Sequence, residues 1–250
     1  YYIQAGGAGV GPAGGSGAKP GGNGGDSYFK SGSHTGTDIV LAKGGTGGST
    51  TSGTAVNGGQ ASSGFGDIKT SGGKGGVNGS SRAGGGGGAG GIAGDGQNGV
   101  SGSNNTWNGA LGGYGNPHDR RGNGGQSGGD SGFDGEWYGG GGSGSTKTAN
   151  KGGNGGPGAV IITYNTILPP TYEPITNLGS DILCLPGGTT TLQVNLPKGG
   201  TITRAGTDYV HSFTTASTFD YFLSGGNIGN LHLLVLGGGG GGGRNGGGGA

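Results

Sequence analysis

Between Ala5 and Gly158 the chain places 59 of its 79 glycines, mostly as pairs and short runs such as Gly21-Gly22-Asn23-Gly24-Gly25, Gly84 to Gly88, Gly139 to Gly142 and Gly152-Gly153-Asn154-Gly155-Gly156. Glycine loses more backbone freedom on folding than any other residue and brings no side chain to a core. Such a stretch either stays disordered or folds by packing backbone against backbone. Three features favour order. Only 10% of residues are charged, whereas disordered chains are usually highly charged. Short apolar clusters, rather than uniform polar residues, interrupt the glycine tracts. Both flanks of the stretch read as β-strands.

Collagen requires glycine at every third position and abundant proline, but proline is only 9 of 250 residues and the glycine phase slips constantly. An α-helix is excluded because each glycine costs roughly 1 kcal/mol against alanine. What remains is an extended, left-handed helix of three residues per turn. It has no internal hydrogen bonds, so its N–H and C=O groups must bond sideways to neighbours or to water. The expected fold is therefore irregular to all-β: a polyglycine II helix bundle with short β-hairpins, plus a small β-rich part and no α-helix.

Only 27% of the chain is hydrophobic, so a conventional core over the whole length is implausible. A net charge of +1 gives no reason to expect nucleic acid or an anionic membrane as partner. No 18-residue apolar run exists, so no membrane-inserting helix is expected. The lone cysteine, Cys184, lies between Leu183 and Leu185 and reads as a small core residue. No methionine and no signal peptide are present, which reads as a fragment or a processed product.

Three stretches follow along the chain. Residues 1–164 form the glycine-rich body, 165–200 a Pro-punctuated linker with short strands, and 201–250 a strand-rich opening that runs into Gly237 to Gly243. Within the body an internal repeat joins glycine pair, aromatic, β-type residues and glycine pair. It runs through Phe29 and Ile39-Val40-Leu41, again through Phe65 and Ile68, and more loosely through Phe133 and Trp137-Tyr138. Each copy reads as a short hairpin whose aromatic covers the bundle's edge. Ser101 to Arg121 lacks alternation and reads as a loop. Ala159 to Tyr164, Thr189 to Leu196, Tyr209 to Thr214, Phe219 to Leu223 and Leu231 to Leu236 read as strands.

Several motifs carry little weight. Gly9-Val10-Gly11-Pro12-Ala13-Gly14 fits a dinucleotide fingerprint, but no helix follows it. Gly21 to Phe29 fits one calcium-binding nonapeptide, which needs tandem copies to complete its ligand set. Asn78-Gly79-Ser80 and Asn104-Asn105-Thr106 are formal glycosylation sequons. The four histidines are scattered, Asp134 and Glu136 have no cleft, and no GxSxG elbow exists. No enzyme, metal site or cofactor is expected.

Tyr209 to Thr214, then Phe219, then Leu233-Leu234-Val235-Leu236 and a polyglycine run resemble the opening of the glycine-rich modules of bacteriophage tail fibres, adhesins and some bacterial surface proteins. Gly152 to Tyr164 is similar to the end of such a module, and Tyr1 to Phe29 to its middle. The opening thus follows the remainder in the chain. Tyr1, Tyr2 and Ile3 are therefore expected to pair with strands of 201–236 such as Leu233 and Val235, within one chain or between copies. The resemblance implies loops that bind a bacterial surface receptor, protein or glycan. The matching candidates are Trp107, Tyr114, His118, Arg120 and Arg121, then Phe133, Trp137 and Tyr138, since aromatic rings and arginine dominate binding hot spots. It further implies fibre subunits or copies of itself as partners, and a location in the virion or at the cell surface. Two alternatives stand beside a receptor-binding module: a filament subunit completing its module with a neighbour, and an ice-binding protein. For the latter, Thr46, Thr50, Thr51 and Thr54 give no regular spacing.

Overall fold

The computed structural model describes residues 1–14, 19–50, 53–77, 83–102, 123–125, 131–145, 151–167, 198–220, 227–243 and 246–250, with backbone alone at 165–167 and 227–230. Among them the regular structure is all-β, with no α-helix and one 3-10 turn at Ala61–Ser63. The strands are β1 (Tyr2–Gln4), β2 (Ser27–Lys30), β3 (Asp38–Ala42), β4 (Ala159–Ile167), β5 (Thr201–Ala205), β6 (Asp208–Phe213), β7 (Ser217–Thr218) and β8 (Asn227–Leu236). They form two antiparallel sheets, ordered β3-β2-β1-β7 and β5-β6-β4-β8.

Strand period dictates what lies between the sheets. Ile3 and Phe29 point inward from the first sheet and meet Val160, Ile162 and Tyr164 of β4, Phe213 of β6 and Val235 of β8, with Phe219 beside them. The alternate β4 residues, Ala159 and Ile161, pack on its other face against Val210, Leu236 and Tyr138. With both faces covered, β4 reads as a continuous apolar run instead of an alternating one. Phe29 is thus a core residue, not an edge cover. Only the first of the three expected hairpins forms, as β2–β3. The second copy contributes a single bridge, Leu41 to Phe65, and the third forms no strand among its described residues. Gly64-Phe65-Gly66-Asp67 has no run of β-branched residues to sustain a ladder. β6 matches its expected strand. β7 ends just before Phe219, and Thr189 to Leu196 lies outside the described residues.

β1 pairs with β7 through Tyr2↔Thr218 and Ile3↔Ser217, and β4 pairs with both β6 and β8, all within one chain. The late segment 201–236 therefore closes both sheets begun by earlier residues.

The glycine segments are joined by another hydrogen-bond pattern. In the run 237–243, the amides of Gly238 and Gly241 donate to Gly25 and Gly22, those of Gly239 and Gly242 to Gly156 and Gly153, and that of Gly240 to Gly248. Its carbonyls accept from Gly45 and Gly48 at Gly238 and Gly241, from Gly9 at Gly239, and from Gly142 and Ser145 at Gly240 and Gly243. These bonds span 2.7–3.2 Å, and four of the six neighbours recur after three residues. One run therefore touches six others. The run 246–250 repeats this, donating to Gly76, Gly142, Thr46, Gly73 and Gly139 and accepting from Gly87, Gly240, Gly59 and Gly90. The two C-terminal runs are the axis around which the body is laid, so 201–250 and 1–164 are not spatially separate. Only glycine fits there: a Cβ on Gly249 would lie 2.0 Å from the carbonyl oxygen of Gly88.

At the perimeter, side chains replace missing neighbours. Asp95, Asn98 and Ser101, three residues apart, accept from the amides of Ser71, Lys74 and Val77, also three apart. Ser27, fully buried, ties body to sheets: its hydroxyl accepts from Gly6 and donates to the Leu236 carbonyl.

Candidate functional site

The first group of receptor candidates, Trp107, Tyr114, His118, Arg120 and Arg121, lies outside the described residues. The second group divides. Phe133 and Trp137 are 58% and 62% exposed, so both rings are free to meet a partner. Tyr138 is 6% exposed and packs against Ala159, Ile161, Val210 and Leu236, which makes it a core residue. Its φ of +73° turns the chain there, followed by Gly139 at +87°, and both amides donate to the Pro157 carbonyl. That left-handed turn, unusual for a bulky residue, sends Tyr138 inward while leaving Trp137 outside. Around them, the Asp134 carboxylate accepts from the Asn154 amide and that of Glu136 from Asn123, so both acids hold neighbouring segments in place.

The expected assembly residues also divide. Ile3 is fully buried and Tyr2 sits between β2 and β7, with its ring near those of Tyr28 and His34. Tyr1 stacks on Phe29 at 4.9 Å while remaining 46% exposed. Leu233 and Val235 lie on β8, an outer strand of the second sheet, and pair with Ile162 and Val160 of β4, not with β1 as expected.

β8 borders a feature that the sequence did not announce. A groove of about 840 Å³ runs between β8, β3, the 59–70 segment and residues 90–92. Five exposed large apolar residues line it: Ile39, Phe65, Ile68, Ile92 and Leu231. Ile68 is 78% exposed and Phe65 58%. Scattered exposed apolar residues are ordinary, but a contiguous group marks an interaction surface. The available signal was the rarity of large apolar residues in glycine-rich surroundings. Where they converge is not encoded locally.

His211 is fully buried, with Nδ1 2.7 Å from the Gly199 carbonyl and Nε2 3.0 Å from the Tyr164 hydroxyl. A carbonyl can only accept, so Nδ1 carries the proton and Nε2 accepts from Tyr164. Burial pushes the His211 pKa below its ordinary value and pushes Tyr164 up to about 12. Both side chains are therefore neutral and serve as a strut between β4, β6 and the 198–200 turn. Asn23 and Asp26 of the calcium-like motif are engaged by protein donors: Asn23 accepts from Gly47, and Asp26 from Gly44 and Lys43. Among the described residues, no three His, Cys, Asp or Glu side chains converge as a metal site. No helix there is long and apolar enough to cross a membrane. Comparison with protein-family models, with curated proteins and with solved structures returns no match.

Proposed function

We propose that the chain is a non-enzymatic structural and receptor-binding module of a phage tail fibre or comparable surface fibre. Its glycine body is a polyglycine II bundle of extended threefold helices that displays side-chain-bearing loops to a bacterial surface receptor. The observation carrying this reading is the run 237–243, which bonds to six neighbouring segments with a three-residue recurrence. A helix of three residues per turn directs successive N–H groups to three neighbours and successive carbonyls to three others. Such a body is stiff and leaves recognition to the few positions with side chains. Phe133 and Trp137 are two of these, and Trp107 and Arg120 belong to the stretch from Ser101 to Arg121, the richest in side-chain chemistry.

Binding of labelled protein to bacterial cells, with and without glycan-stripping or protease treatment, tests the reading. Trp107→Ala and Arg120→Ala should each lower binding about tenfold or more if they are hot spots. Retention of full binding by both variants, with Phe133→Ala and Trp137→Ala equally silent, would sink the loop assignment. The split order of the module is the feature that favours the alternative, a filament subunit completed by a neighbour; the pairing of β1 with β7 and of β4 with β8 within one chain supports self-completion instead.

A further inference from the structure

We propose that β8 is the pairing edge of a two-fold dimer, in which two copies of this chain join their second sheets into one eight-stranded sheet. The two sheets have four outer strands, and three are protected. β7 has only two residues. β3 is occupied by Phe65, which exchanges two 2.9 Å backbone bonds with Leu41. β5 has five residues and carries Arg204, whose side chain bonds to the Gly206 carbonyl. Short length, charge and coverage are the means by which soluble proteins blunt an edge. Among the described residues, β8 has none of them. It runs for ten residues, its segment 231–236 is Leu-His-Leu-Leu-Val-Leu, and no described backbone group bonds to the outer edge of 231–235.

Symmetry selects the occupant. A two-fold axis normal to the sheet keeps the core-facing residues of both copies on one side. With the axis at Leu233, Leu233 faces itself, Leu231 faces Val235 and His232 faces Leu234. No like charges meet, and the strand alone supplies both halves of an isologous contact. Beside the edge, exposed Ile39, Phe65, Ile68 and Ile92 offer apolar surface that a second copy would cover. The mixed charges of Asp67, Lys69 and Asp208 in the lining select no acidic or basic peptide. This pairing stands apart from the receptor-binding reading.

Sedimentation velocity of the full chain over a concentration series should show a reversible dimer. Leu231→Lys should weaken it tenfold or more, while Ile202→Lys on the β5 edge leaves it unchanged, with both variants matching the parent in circular dichroism and melting temperature. A second arm uses Leu233→Cys in a Cys184→Ser background. Directly opposed residues of an antiparallel pair have Cα atoms about 4.5–5.5 Å apart, within disulfide range, so mild oxidation should trap a covalent dimer. A protein that stays monomeric throughout, captures only unrelated peptide strands, or dimerises without sensing Leu231→Lys and without trapping through Leu233→Cys would overturn the proposal. Receptor binding by a monomer would leave the adhesive reading intact.

Discussion

The sheets and the glycine body solve the same problem by opposite means. Between the sheets, Phe29, Ile162, Tyr164 and Phe219 exclude water with side-chain volume, and a strand's identity can be read from which residues alternate inward. In the body there is almost no side chain to bury. Neighbouring runs approach until amide meets carbonyl, and cohesion comes from directional bonds plus close backbone contact. The first region should tolerate rearranged volume, whereas the second should tolerate no added volume wherever two runs face each other.

The sharpest way to break this contrast is a pair of single-carbon additions. Gly249→Ala places its Cβ 2.0 Å from a backbone oxygen that cannot rotate away, whereas Gly7→Ala meets nothing within 4 Å. Gly249→Ala should cost about 5 kcal/mol or more, at the extreme of single substitutions, or abolish folding. Gly7→Ala should stay within about 0.5 kcal/mol of the parent, as surface changes do. Equal stability of the two variants in denaturant titration would dissolve the idea that backbone contact between facing runs is what excludes side chains from the body.

Next in size is Phe29→Ala between the sheets, expected to cost about 3–5 kcal/mol as a large-to-small core change. Phe29→Leu should recover most of it, because cores accept apolar residues of roughly similar size. Substituting by size has no counterpart at Gly249.

The strut at His211 adds a pH dependence confined to the sheet region. Its folded-state pKa lies below the unfolded value, so the unfolded chain binds the extra proton first. The contribution is complete above pH ~6.5 and is lost as pH falls from there through the depressed folded-state pKa. Thermal melts from pH 7.5 to 5 should show falling stability in that window, and His211→Gln should flatten the slope. An unchanged slope in the variant would assign it to another group.

The smallest effect is expected at the perimeter. Asn98→Ala removes one exposed side-chain acceptor for the Lys74 amide and should cost about 1 kcal/mol, since water can replace the bond. A much larger loss would mean that the perimeter ladder of Asp95, Asn98 and Ser101 is cooperative.

Legibility followed the side chains. Ala159 to Tyr164, Tyr209 to Phe213 and Leu231 to Leu236 were readable as strands because β-branched and apolar runs have few alternatives. That Tyr1–Gln4 would pair within 201–236 was anticipated from open edges, but its partner is Ser217–Thr218 of β7, while Leu233 and Val235 pair with β4. The fates of Phe29, Phe65 and Phe133 were not. All three follow glycine-rich segments, yet Phe29 is buried between sheets while the other two are more than half exposed. Tyr138 and Trp137 are adjacent and face opposite ways because of a backbone torsion that nothing in their side chains encodes.

The sequence by itself determined that this chain has no α-helix among its described residues, and that any order in its longest region must come from the backbone. Tertiary structure alone decided that the runs 237–243 and 246–250 form the axis of that region and that Ile39, Phe65, Ile68 and Ile92 converge on Leu231 of β8. The physical reason is the same for both. A glycine run offers every neighbour the same donors and acceptors, so its partners are chosen by position in the packed body, and the sparse side chains are carried wherever that packing puts them.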